Sequence, residues 1–99
     1  MKPTAAELDV VIDEDMMELI PEFLDNRRAD VVLLREALAS GDRGTVRRIG
    51  HSLKGVGGMY GFPWLTAVGR EIEAGSAGDV GAQVDELADY LAAVRVRAG

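Results

Sequence analysis

The stretch "RRIGHSLKGVGGMYG", Arg47 to Gly61, holds the chain's one histidine, His51, among Gly50, Gly55, Gly57, Gly58 and Gly61. Apolar side chains recur through it at three–four spacing, the pattern of an amphipathic helix. Glycine inside a helix is costly, at roughly 0.8–1.0 kcal/mol each relative to alanine. Gly50, Gly55, Gly57 and Gly58 together therefore cost about 3–4 kcal/mol, where a whole domain is commonly stable by only about 5–15 kcal/mol. On a wheel of about 100° per residue, Gly44, Arg47, Lys54, Gly55 and Gly58 fall within about 60° of His51. Val46, Ile49, Leu53, Val56 and Tyr60 fall on the opposite, core-facing side. His51 is thus expected to be exposed near the middle of a helix, with Ile49, Leu53 and Val56 buried behind it. Gly50 and Gly57 lie nearer the buried flank, where close approach of a neighbouring helix accounts for them. Gly55 and Gly58 lie on the exposed side. Their missing side chains leave a lane beside the imidazole that a partner's backbone can approach closely, rimmed by Met59 at about 80° from His51.

Working outward, Asp42 is the expected N-cap of this helix and Gly61 its stop. Pro63 opens the next helix, with Leu65, Val68 and Ile72 inward, and "GSAGD" breaks it. Val80, Val84, Leu87, Leu91 and Val94 mark the last helix. Toward the N-terminus, Asp13 is a plausible N-cap with Glu14 and Asp15 in the first turn. Met16, Met17, Leu19, Ile20, Phe23 and Leu24 follow at helical spacing. Pro21 is expected to kink that helix or to sit in the first turn of its continuation. "RRADVVLLREALASGD" reads as a further helix with Val31, Leu34 and Leu38 on one side. The first dozen residues read as an arm ending in a short extended piece, "VVI". No segment shows sustained period-two alternation, and loops are short, so successive helices should run antiparallel. The expected fold is all-α, an antiparallel four-helix bundle with an additional N-terminal helical segment, with an arm over 1–12 and a single bundle over 13–97.

Composition narrows the chemistry. With 99 residues, 47% hydrophobic and 28% charged, the chain can form one small core. It has no cysteine, so thiol and disulfide chemistry are excluded and a zinc site would have a single imidazole. The net charge of −6 argues against nucleic-acid backbones as partners. No apolar run suits a membrane span, and "MKPTAAELDV" lacks a signal-peptide core, so a cytoplasmic location is expected. Against the acidic whole, residues 42–60 carry Arg43, Arg47, Arg48 and Lys54 with only Asp42 opposing them. Arg47 and Lys54 share the face of His51 at i−4 and i+3. There they would favour the neutral, nucleophilic imidazole and hold an anion beside it, where the plainer account is a solvated helix face. A P-loop does not fit, because Lys54 precedes the glycines. "GVGGMYG" misses a dinucleotide fingerprint because Tyr60 stands where the last glycine belongs. Ser52 lies about 100° from His51 on the wheel, so no Ser-His pair assembles.

The run "HSLKG", a histidine followed after two residues by Lys-Gly, resembles the motif of the histidine phosphotransfer (HPt) domain family. The likeness extends through "FLDNRRADVVLLREALASGD", "MYGFPWLTAVGREIE" and "LADYLAAV", roughly residues 10–95. The chain departs from the family pattern at Gly50, often alanine there, and in its extra glycines after Gly55. The resemblance implies a helical bundle in which His51 accepts a phosphoryl group from a receiver-domain aspartate or a kinase and returns it to another receiver. It makes Lys54 the cation beside the phosphate and Gly55 the gap admitting the receiver; the helix wheel places Arg47, Gly58 and Met59 around that contact. The resemblance implies no cofactor of the chain's own, the Mg²⁺ being the partner receiver's, and no metal-binding residues. Expected partners are response-regulator receiver domains, with a hybrid histidine kinase as a further candidate, and a monomeric carrier rather than a kinase. The alternatives are an HPt-like regulator that docks on a receiver or kinase without carrying phosphate, and a bundle that only binds protein.

Overall fold

Local signals set the corners of the fold. In the computed structural model, which describes residues 1–75 and 79–99, Asp42 caps the helix Arg43–Tyr60 by accepting a hydrogen bond from the Thr45 amide. Gly61 closes that helix with φ 85°, a left-handed conformation suited to glycine. Pro63 then stands in the first turn of Pro63–Ala74, which Gly75 ends at φ 59°. The sequence-expected break after Ala74 lies partly outside the described residues, at 76–78. Chain order gives four helices among the described residues: α1 Ile20–Ser40, α2 Arg43–Tyr60, α3 Pro63–Ala74 and α4 Val80–Ala93.

Two expectations are corrected. The predicted first and second helices are one, the 21-residue α1. Pro21 occupies its first turn, where the missing amide donor breaks nothing, and no stop signal follows until Gly41. The apolar residues before it form a 3₁₀ segment, Glu14–Leu19, capped by the Asp13 side chain, and this is the additional N-terminal piece. Leu38, expected inward, is exposed, and Ala37 faces the core in its place.

A small sheet joins the chain's two ends. Strand β1, Asp9–Ile12, pairs in parallel with β2, Arg95–Ala98, in the register Asp9↔Arg95 through Ile12↔Ala98. Val10 and Ile12 point into the core while Val11 is exposed, and Arg95 donates to Asp9 across the pair at 3.0 Å. Strands of four residues hold too few alternations to register as a period, which is why no sheet was expected.

The all-α class stands. Leu34, Leu53, Phe62, Leu65, Val68, Ile72 and Leu87 fill the core. Phe23 of α1 stacks on Tyr60 and Phe62, and Trp64 stacks on Tyr90 of α4 with centroids 4.4 Å apart. Val84 and Leu91 are buried as expected, whereas Val80 and Val94, at the two ends of α4, are only half-buried. Arg35 bonds Asp85 and Arg28 reaches the Leu91 carbonyl, so α1 and α4 run in opposite directions. Among the described residues no helix is long and apolar enough to cross a membrane.

Candidate functional site

Helix α2 packs against α3 along one face and turns the adjoining face, which carries His51, to solvent. Ile49 and Leu53 are buried, and Val56, expected buried, is half-buried. His51 sits on the outer face with 69% of its side chain exposed. Gly55 has open space where a side chain would project, and a Cβ on Gly58 would meet only Thr66 Oγ1, at 3.7 Å. Met59 beside them is 71% exposed. The lane read from the sequence is therefore open surface.

The α2–α3 contact is much closer. A Cβ on Gly50 would lie 2.5 Å from the Glu73 amide nitrogen, and one on Gly57 would lie 2.7 Å from that of Thr66. A Cβ on Gly69 would lie 2.5 Å from the amide nitrogen of Lys54. A single antiparallel register relates the three pairs: Gly50 with Glu73, Lys54 with Gly69, Gly57 with Thr66. Each pair contains a glycine, so the backbones meet where side chains would hold them apart. Thr66 Oγ1 also donates to the Lys54 carbonyl at 3.1 Å, tying α3 to the middle of α2.

Glu73 is the residue that sequence reasoning missed. Its Oε2 lies 2.6 Å from His51 Nδ1 and its Oε1 2.7 Å from Lys54 Nζ. The wheel of α2 shows no carboxylate at His51; the neighbouring helix supplies one. Lys54 shares the face of His51, but its side chain is only 33% exposed and is ion-paired to Glu73. Hydrogen bonds from Lys54 and then His51 hold the Glu73 carboxyl below its usual range, against a smaller upward push from burial. Glu73 is therefore ionised at neutral pH and can only accept, so Nδ1 must carry the hydrogen. In its neutral form the ring then presents the lone pair of Nε2, which bonds no described residue, on a side chain that is largely exposed. Arg47 is exposed without an ion pair to any described residue, and lines with Glu73 a hollow at the adjoining end of the bundle. His51, Lys54 and Glu73 form one connected group, Arg47 stands at its edge, and Gly55, Gly58 and Met59 form the open surface alongside. The described residues contain no group of three or more side chains suited to a metal ion.

Glu73 could not be found from the α2 wheel because it comes from another helix. The one available signal was Gly69, an interior glycine in α3 that marks a close approach one turn before Glu73.

Compared with known families, residues 18–97 match the model described as the Hpt domain. No curated protein and no solved structure matches the chain.

Proposed function

Because the chain belongs to the Hpt domain family, whose members carry phosphoryl groups in two-component signalling and have no kinase activity of their own, we propose that it is a phosphocarrier with His51 as its acceptor, exchanging the group with aspartates of response-regulator receiver domains. The observation that carries this reading is the pairing of an exposed Nε2 with an Nδ1 held by Glu73. Transfer of a phosphoryl group depends mainly on position and charge, so a fixed, unprotonated nitrogen in the open supplies most of what an acceptor needs.

The step balances without proton transfer. The Nε2 lone pair attacks phosphorus of the receiver's aspartyl phosphate, an N–P bond forms, and the P–O bond breaks with its electron pair leaving on the aspartate. Positive charge spreads onto the ring, and Glu73 stabilises it through Nδ1–H. In the return direction a receiver carboxylate attacks phosphorus and the N–P electrons go back to Nε2, while the Nδ1 hydrogen stays in place. Lys54 and Arg47 offset charge on the phosphoryl oxygens. The chain acts as a carrier and not as a kinase, with no cofactor of its own, the Mg²⁺ belonging to the receiver. It works as a monomer in the cytoplasm, binding neither nucleic acid nor membrane. The receiver rests over Gly55 and Gly58 against Met59, its acidic site drawn by the basic face of α2. A hybrid histidine kinase is a second source of the group.

Mixing the protein with labelled phospho-receivers from the same source tests the reading. Label stable in alkali and lost in acid, absent from His51→Gln, is the expected result. Tight receiver binding without label would instead favour the non-carrying regulator.

A further inference from the structure

Helices commonly pack with side chains between them, at axial separations of about 8–10 Å. The α2–α3 seam dispenses with those side chains at three points, and the placing of two of them is informative. The residue opposite Gly69 is Lys54, and the residue opposite Gly50 is Glu73. The glycines thus face the two charged residues that meet at His51. Glu73 lies one turn beyond Gly69, on the same stripe of α3. Its backbone runs against α2 at Gly50, the residue before the histidine, and its carboxylate spans both His51 Nδ1 and Lys54 Nζ at 2.6 and 2.7 Å. A glutamate side chain has only two methylenes, so its reach is set by where its backbone lies. The third point, Gly57 against Thr66, closes the same seam some two turns of α2 away from His51.

We propose that Gly69, together with Gly50, is a positioning residue for the chemistry of His51: the two glycines set the α2–α3 separation at which Glu73 reaches both the imidazole and Lys54, and so fix which ring nitrogen is free. Gly57 performs the same packing but has no part in this placement. The proposal rests on the carrier reading for its relevance to phosphoryl transfer, but the placement itself is a property of the unphosphorylated protein. A methyl at Gly69 would meet the Lys54 amide nitrogen at 2.5 Å and the Gly50 carbonyl oxygen at 2.8 Å. Both are backbone atoms, so the helices must part, and Glu73 is drawn back from His51. A methyl at Gly57 would meet Thr66 N at 2.7 Å, a clash of the same kind at the other end.

The test compares Gly69→Ala, Gly50→Ala and Gly57→Ala with wild type by two measurements. Nitrogen-15 spectra of the His51 ring report which nitrogen carries hydrogen. Phosphoramidate, used as the phosphoryl donor, reports the rate at which the ring is phosphorylated. With the ring in its neutral form, wild type and Gly57→Ala should show Nδ1–H alone. Gly69→Ala and Gly50→Ala should show a mixture of tautomers and label more slowly, on the order of ten- to a hundredfold for a displacement near 1 Å. All three should melt at lower temperature than wild type, so loss of stability by itself distinguishes nothing. Glu73→Asp gives the same withdrawal without touching the seam, should a glycine variant not fold, and it should also give mixed tautomers. Wild-type tautomer in Gly69→Ala or in Glu73→Asp, or equal change in Gly57→Ala and Gly69→Ala, would overturn the proposal. Failure of wild type to accept label, with the tautomer differences intact, would count against the carrier reading and leave the placement standing.

Discussion

Glu73 accepts from His51 Nδ1 at 2.6 Å across 22 residues of sequence, and the same carboxylate binds Lys54. In the proposed carrier this contact makes the imidazole a directed nucleophile. One nitrogen is engaged by an ionised acceptor and the other is left to solvent. It also couples the three residues electrically, so each substitution has an effect that depends on the other two.

Glu73→Gln removes the charge and keeps an amide oxygen able to accept from Nδ1. Phosphorylation of His51 should slow by about tenfold, the difference between a charge-assisted and a neutral hydrogen bond. Glu73→Ala should slow it further because the ring loses its orientation as well. Rates of label uptake from one phospho-receiver at fixed concentration check this. Equal rates in all three proteins would show that Glu73 is only an ion-pair partner for Lys54.

Lys54→Ala leaves the His51–Glu73 contact in place and removes the cation beside the site. The Glu73 carboxyl should rise toward its usual range, since Lys54 is the larger cause of its depression. Transfer rate or phosphohistidine lifetime should change several-fold to about tenfold, as one partly screened cation allows, and not vanish as in His51→Gln. Arg47, exposed on the same face, partly substitutes, so the double variant Arg47→Ala with Lys54→Ala should exceed either single one. Equal uptake and decay in all of these would reduce both cations to a solvated helix face.

Helices α2 and α3 were legible because their ends carry strong local chemistry: Asp42 as cap, Gly61 and Gly75 as left-handed stops, Pro63 in a first turn; α1 was split in two because a proline suits a kink as well as a first turn. The outer face of α2 was legible because a wheel needs only one helix. Glu73 was not, because its role comes from the register between two helices, and that register is set by backbone contact at Gly50, Gly57 and Gly69 rather than by any periodicity. The β1–β2 pair was hidden for a similar reason. Its partners stand 86 residues apart, so although "VVI" reads as an extended piece, nothing local points to Arg95–Ala98 as its partner.

Asp42 sets an acid limit on α2. Hydrogen bonds from the Thr45 hydroxyl and amide hold its carboxyl below the usual range. A carboxylate whose folded pKa is depressed stabilises the fold fully above its unfolded value, about 3.9, and that contribution is lost as pH falls through the lower folded value. Glu73 acts in the same direction. Melting temperature should therefore drop below about pH 4 in wild type. Asp42→Asn keeps a good cap without the titration, so it should melt close to wild type at pH 7 and lose less on acidification. Asp42→Ala should be less stable at both. A steeper acid loss in Asp42→Asn than in wild type would contradict the assignment.

Gly55 and Gly50 are both interior glycines of α2, and the structure sets their substitutions in opposite directions. A Cβ on Gly55 meets nothing within 4 Å, whereas one on Gly50 strikes the Glu73 backbone. Gly55→Ala should therefore stabilise the protein by about 0.4–1 kcal/mol, through helix propensity and a less flexible unfolded chain. Gly50→Ala should destabilise it. If Gly55 is glycine for the sake of a docking receiver, a larger side chain there should leave folding intact and obstruct transfer. Gly55→Glu and Gly58→Arg should both melt no lower than wild type by more than a degree or two, since each projects into open surface, and both should exchange label with a receiver more slowly. Gly55→Ala, adding one methyl, should fall between them and wild type. Labelling by phosphoramidate, which needs no docking, should be nearly unchanged in Gly55→Ala and Gly58→Arg, and this separates a blocked approach from a damaged nucleophile. Wild-type exchange rates in both Gly55→Glu and Gly58→Arg would place the receiver on another face of the bundle.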